Sequence, residues 1–338
     1  MGERFVTKRL TKDEDFAMIL SVPEKRLLIK EVSPMAFWIV TDACCDLPAE
    51  YIARQKDLHV VPMAYQINGQ VHEINLSDPT LPGRIHEFYD QLLDGAVATT
   101  FQVTHNEWMD HVAPLLEQGH DVLMLVFSSS LSGMYLTAKS AEKELQAKYP
   151  NRKVFAFDTR CASVGEGLLV HYALRYRDAG HGFDETLQWV TDNAQRCIHW
   201  FTVSDLHFLR RGGRLSATSA YLGSILKIKP VLNVDPKGRL IPRVKVQGRK
   251  HSLKELYEKT EQDTLNPRTQ LMFIGHGDCP KDAEWLAERL KEKLGVPEVM
   301  VTQIGPIIGS HAGPGTVAVF FLDKDGSARL DAPEAETK

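Results

Sequence analysis

Cysteine is scarce and unpatterned in this chain. Cys44, Cys45, Cys161, Cys197 and Cys279 form an odd set with irregular spacing and no Cys-x-x-Cys pair. That argues against a zinc ribbon, a thioredoxin-like motif or a disulfide framework, and scattered thiols suit a reducing cytosol. An excess of positive charge is also missing. The chain holds 40 Lys and Arg against 44 Asp and Glu, a formal net charge of −4. No basic field is available for nucleic acid or an anionic surface. No apolar run approaches the roughly 18 residues that a membrane-spanning helix needs. The charged N-terminal stretch lacks the apolar core of a signal peptide, so a cytoplasmic location is expected. Internal repeats and low-complexity tracts are absent as well.

What is present is an ordinary globular composition, 43% apolar and 25% charged over 338 residues. That length suits about two domains. The run Asp121–Phe127, DVLMLVF, is continuous and apolar, as a strand buried on both faces would be. Strands are also expected over 36–40 and 153–158. Helices are expected over 49–55, 84–95, 106–118, 135–148 and 165–179. This alternation predicts a parallel sheet with helices on both faces. Asn68-Gly69 between alternating apolar residues predicts a hairpin. Beyond residue 200 the pattern changes to hairpins mixed with helices, including a helix at 218–225, and predicts a separate α+β domain. The expected division is an N-terminal extension at 1–34, an α/β domain at 35–200, an α+β domain at 201–322 and a frayed polar tail at 323–338. The 58–80 hairpin is free to exchange to the second domain.

Several loops carry polar groups that could do chemistry. Phe127-Ser-Ser-Ser-Leu-Ser-Gly133 lies between a strand and a helix, where hydroxyls and backbone N–H groups suit either an anion or simple helix capping. Thr104-His-Asn-Glu107 is a capping box, which leaves Thr100 without an assigned task. Arg210, Arg211 and Arg214 flank Gly212-Gly213 and suit either a carboxylate or phosphate or a solvated loop. Gly305-Pro-Ile-Ile-Gly-Ser-His-Ala-Gly-Pro-Gly315 reads as a rigid loop with His311 as its one ionisable side chain. It lacks the Gly-Lys-Ser/Thr ending of a P-loop. Asp42 and Asp46 suit turn and cap roles. A Ser132-His311-Asp42 triad can be written on paper, but no Gly-x-Ser-x-Gly elbow supports it.

In this order the motifs resemble the DegV family. Thr41-Asp42 with Asp46-Leu47-Pro48 is similar to that family's TDS-x-x-DLP opening. Thr100 to Thr104 is similar to its TSQP segment, and Ser128 to Tyr135 to SSxLSGTY. Asp158, Ser163 and Gly165 match DS-x-x-x-S-x-G. Asp205-Leu206 with Leu209 to Ser216 matches DLxYLKRGGRIS, and Lys229-Pro230 matches the KPI that follows. Gly309 to Gly315 matches GxHxGPG. The resemblance covers about residues 36–322. It implies two α/β domains, the first with a three-layer parallel sheet and the second with a mixed sheet, and one long-chain fatty acid bound between them. It further implies a non-catalytic, FakB-like subunit of a bacterial fatty acid kinase, whose partner phosphorylates the carboxyl group. Carried over by position, Thr100, Ser132 and the Gly133 amide would bind the carboxylate, with His311 beside it. Arg211 and Arg214 would stand at the mouth or dock the kinase. No metal or cofactor is implied, and contact with a membrane would be transient. A Ser/His esterase or a small-molecule kinase component is the alternative. Phe101, Val103, Ala43 and Met134 depart from the family pattern, which has polar residues or proline there.

Overall fold

The computed structural model describes residues 37–215, 228–324, 326 and 329. The expectations for 1–34, for Ser216 and for a helix at 218–225 fall outside them. The first sheet is parallel, with strands β1 (Trp38–Asp42), β2 (Leu58–Val61), β6 (Val122–Val126) and β7 (Val154–Asp158) in the order β2-β1-β6-β7. β6 is buried along its whole length, as its unbroken apolar run requires. Around this sheet run α1 (Ala49–Arg54), α2 (Leu81–Leu93), α3 (His105–Glu117), α4 (Met134–Lys148), α5 (Val164–Asp178) and α6 (Phe183–Asn193). The capping box at α3 is formed. Thr104 Oγ1 accepts from Glu107 N, and Glu107 Oε2 accepts from Thr104 N.

A small antiparallel sheet joins β3 (Met63–Ile67) and β4 (Gln70–Ile74) to β5 (Ala98–Phe101). The hairpin turns at Asn68 and Gly69, both with positive φ, as a two-residue Asn-Gly turn demands. β5 was not foreseen, because its four residues are two threonines flanked by alanine and phenylalanine.

The second large sheet is mixed, in the order β10-β9-β8-β13-β11-β12. Its strands are β8 (Cys197–Thr202), β9 (Ile228–Val234), β10 (Leu240–Gln247), β11 (Leu271–His276), β12 (Glu298–Gln303) and β13 (Val317–Leu322), with only β11 and β12 parallel. Helices α8 (Arg249–Asp263) and α9 (Pro280–Leu294) pack on one face. The short α7 (His207–Arg211) and α10 (Pro306–Ala312) stand at the edge of the cleft.

Three sequence expectations are corrected here. The boundary drawn at residue 200 falls inside β8, which enters the second sheet at Cys197. The supposed glycine loop after Gly305 contains a helix, α10. Pro306 starts it with a pre-set φ and Gly313, at φ 80°, ends it. The tail is not frayed where it is described. Asp323 bridges Thr264, and Arg329 is fully buried, donating to the carbonyls of Arg160 and Cys197.

Helix α5 lies between the two large sheets and is buried on nearly every side, so it has no polar face. Two glycines set its distance from its neighbours. A Cβ at Gly165 would lie 2.1 Å from His199 Nε2 in β8, and one at Gly167 would lie 2.7 Å from the Cys45 carbonyl. The second contact is with backbone, which cannot rotate aside. Gly167→Ala is therefore expected to destabilise the fold by about 1–3 kcal/mol, read as a lower urea midpoint with an unchanged slope. An unchanged midpoint would show that the helix packs less tightly than described.

Candidate functional site

Loops that follow strands of the first sheet meet residues of the other two sheets around one cavity of about 520 Å³. Small-molecule sites commonly span about 300–1,000 Å³. Phe127 and Leu131 approach from the loop after β6, and Met63 from β3. Phe201, Leu240, Ala318 and Phe320 come from the second large sheet. Ile307 and Ile308 come from α10. These side chains are apolar, and most are buried.

The polar lining is concentrated in Thr100, Gln102, Ser132, Gly133, Arg214 and His311, with His199 and Ser163 elsewhere on the wall. Thr100 is placed by β5, where it stands opposite Tyr65. Its Oγ1 lies 2.9 Å from His311 Nε2, so the bond crosses from the small sheet to α10. The other ring nitrogen, Nδ1, is buried without a partner. It abuts Gly212, where a Cβ would come within 2.3 Å of it. Nε2 is then the protonated nitrogen and donates to Thr100, which leaves the threonine O–H free to donate into the cavity. Ser132 Oγ accepts from Met134 N at 3.2 Å, a local bond that still leaves its own hydrogen to give. Capping and ligand binding are thus compatible at Ser132. Gly133 caps α4 and faces Gln102, whose Oε1 is 2.9 Å from where a Cβ would sit.

The arginines divide. Arg214 is half-buried on the cavity wall, its Nε donating to Leu131 O and its Nη1 to Gly212 O. Arg211 is exposed outside the cavity, with its guanidinium over the Phe208 ring at 4.9 Å. The paper triad does not assemble. His311 bonds Thr100 rather than Ser132, and the Asp42 oxygens accept from Cys44 N and Phe127 N. Asp42 thus has the cap role expected of it. Asp46 does more, because it crosses the cleft. Its Oδ1 accepts from Gly305 N at 2.8 Å and its Oδ2 from the Ser163 hydroxyl at 2.5 Å. This bond holds the start of the helix that carries His311. Sequence reasoning also passed over His199. Its one signal was a histidine inside the otherwise apolar strand CIHWFT.

Fold and cavity together define an α/β protein with two large sheets and a mostly apolar slot whose polar lining includes hydroxyls, an amide side chain and Arg214. The chain belongs to the DegV family: the family model described as an uncharacterised protein of that family matches residues 36–324. A DegV domain-containing protein of Clostridium perfringens is 40% identical over 286 residues, covering 85% of this chain and 97% of that protein. Among solved structures, a DegV family protein from Thermus thermophilus described as binding fatty acid is similar with a TM-score of 0.76. It is 27% identical and is matched over 86% of this chain and 100% of its own. A fatty-acid-binding DegV family protein from Streptococcus agalactiae is 29% identical, with a TM-score of 0.73 and coverage of 86% and 99%. No helix among the described residues is long and apolar enough to cross a membrane.

Burial, and then the charges of Arg214 and Arg211, lower the His311 pKa from 6.5 to about 4. A histidine held neutral in this way stabilises the fold fully above its unfolded pKa, and that contribution is lost as pH falls towards the folded value. Between neutral pH and about pH 4, wild type should lose more thermal stability than His311→Gln. Parallel Tm profiles would show that the imidazole is not kept neutral by its surroundings.

Proposed function

We propose that the cavity holds one long-chain fatty acid, with its carboxylate met by Thr100 Oγ1, Ser132 Oγ and the Gly133 N–H. His311 stands behind Thr100. The observation that carries this reading is a mostly apolar cavity whose lining includes Thr100, Ser132, Gly133 and His311, with Thr100 bonded to His311. Each buried CH₂ contributes about 0.8 kcal/mol, so a sixteen-carbon tail offers on the order of 12 kcal/mol gross. A bare carboxylate would cost several kcal/mol to bury. Neutral hydroxyl and amide donors offset that cost without a fixed countercharge, and they leave an oxygen free to attack a phosphoryl group. The chain itself is then a non-catalytic carrier. A partner kinase would form the acyl phosphate, with Arg211 exposed beside the mouth as a docking residue. The similarity to proteins described as fatty-acid-binding supports the ligand class.

Native mass spectrometry of the purified chain should show a fatty acid that leaves on denaturation. Each donor lost from a charged hydrogen bond should weaken binding roughly 10- to 100-fold, so Thr100→Ala and Ser132→Ala should raise Kd with little loss of fold. A clean apo mass, together with affinities unmoved by both substitutions, would remove the reading.

A bound carboxylate should also raise the pKa of His311 from its depressed value. Binding between about pH 4 and 6.5 is then accompanied by proton uptake, seen as a buffer-dependent enthalpy in calorimetry. His311→Gln should abolish the buffer dependence. Its persistence in that variant would place the proton elsewhere.

A further inference from the structure

A second chemical cluster lies behind the cavity wall and takes no part in holding the carboxylate. Cys161 follows β7 on the way into α5, and Cys197 opens β8, so the two thiols come from different sheets. Both are free and fully buried. Between them reaches Arg329, itself fully buried. Its Nη2 donates to Cys161 Sγ at 3.2 Å and to the Cys197 carbonyl at 2.5 Å. Nε donates to the same carbonyl, and Nη1 donates to Arg160 O.

A guanidinium does not lose its charge in a protein, and burying one is costly unless an anion meets it. Among the described residues, none of the hydrogen-bond acceptors of Arg329 is a carboxylate. They are carbonyls and one sulfur, with His199 Nδ1 also 3.3 Å from Nη2, so the sulfur is the partner able to carry negative charge. His199 does not supply a further cation. Its Nε2 accepts from Ala162 N, so Nδ1 holds the proton and donates to Cys197 O, and burial keeps the ring neutral. Glu166 is held protonated, chiefly by burial, and Asp323 faces Cys197.

We propose that Cys161 is held as a thiolate by Arg329 and that Cys197 is its resolving thiol, making the pair a peroxide-reactive dithiol whose oxidation removes the counter-charge of Arg329.

The two sulfurs are differentiated as such a pair must be. Burial pushes the Cys161 thiol up, but the neighbouring Cys197 and the Arg329 charge outweigh it and hold it well below its ordinary value, while the Cys197 thiol itself donates to Gly165 O at 3.1 Å. Cys197 is pushed the other way, first by burial and then by Cys161, and it keeps its proton. Low thiolate pKa beside a second thiol is the arrangement that makes cysteine reactive. Cys44 and Cys45, raised by burial and by neighbouring carboxylates, are internal controls. The backbone around Cys161 is held between Arg160 and Ser163, both at positive φ. Neither sulfur lines the cavity, but Ala162 and His199, which flank the pair, do, so an oxidant must reach it past them.

The chemistry balances with a hydroperoxide as oxidant. The thiolate attacks the distal oxygen, an S–O bond forms and the O–O bond breaks. The alkoxide or hydroxide leaves and takes a proton from water, while Cys161 becomes a sulfenic acid. Cys197 sulfur then attacks Cys161, the S–S bond forms, and hydroxide leaves with the thiol proton as water. The disulfide is neutral. Arg329 is left buried without its counter-charge.

The test uses the full-length reduced chain and hydrogen peroxide. Peptide mapping without reductant should link Cys161 to Cys197, with Cys44 and Cys45 unlinked. Arg329→Met should slow disulfide formation about tenfold or more, since a one-unit rise in thiol pKa lowers the thiolate tenfold. Arg329→Lys should retain most of the rate. A link formed equally fast in Arg329→Met, or thiols that stay free in wild type under peroxide, would overturn the proposal. Should Arg329→Met not fold, ultraviolet thiolate absorbance of wild type decides. A signal present at neutral pH supports the pair, and one that appears only above the usual thiol range of about 8.5 overturns it.

Discussion

The spacing of the two large sheets across helix α5 is the constraint on which the rest of the molecule depends. Helix α5 is buried on nearly every side although it carries Glu166, His171 and Arg177, and a helix can approach a sheet only as closely as its side chains allow. Gly165 and Gly167 remove the side chain at the two tightest places, one towards His199 and one towards the Cys45 carbonyl. The first sheet, the helix and the second sheet are therefore locked at short distance near the start of α5. The cleft beyond that point opens into the cavity.

Across that opening the two sides are tied by polar bonds rather than by more apolar packing. Asp46 accepts from Gly305 and from Ser163, and His311 meets Thr100. Both ties end on α10 or on the residue before it. The helix that closes the cavity is thus located by hydrogen bonds with strict geometry, while the acyl-sized space behind it is shaped by side chains that tolerate a range of contours. Burial raises the Asp46 pKa to about 8, although the Ser163 and Gly305 bonds pull it down. The tie therefore sits in an environment from which water is largely excluded.

Much of this was legible in the residues. The unbroken run DVLMLVF gave a central parallel strand, Asn68-Gly69 gave the hairpin, and Thr104 with Glu107 gave a helix start. In each case a local rule and the tertiary setting agree. The motif order grouped Thr100, Ser132, Gly133 and His311 around a carboxylate with Arg211 and Arg214 at the mouth, and of these all but Arg211 line the cavity. Failures occurred where tertiary contacts override local preference. Gly305 to Gly315 looked like loop because glycine is abundant there, yet Gly309 is needed because Tyr89 occupies the space a Cβ would fill. A polar tail looked frayed because nothing local signals that Arg329 finds carbonyls and a sulfur more than 100 positions away. The departures from the family pattern are also sorted by the structure. Val103, Ala43 and Met134 are buried away from the cavity, and only Phe101 lines it.

That sorting bears on how the site works. Hydroxyls replaced by apolar groups in a core can be neutral when both partners of a hydrogen bond are removed together. At Ala43 and Met134 the surroundings are apolar, so those changes leave no orphaned donor behind. Phe101 is different, because it stands half-exposed beside Thr100 at the cavity wall. An aromatic ring there supplies apolar surface next to the row of hydroxyl and amide donors. On the function proposed above, a drier wall there would make each neighbouring donor worth more to a bound carboxylate, because the same hydrogen bond is stronger where water competes less.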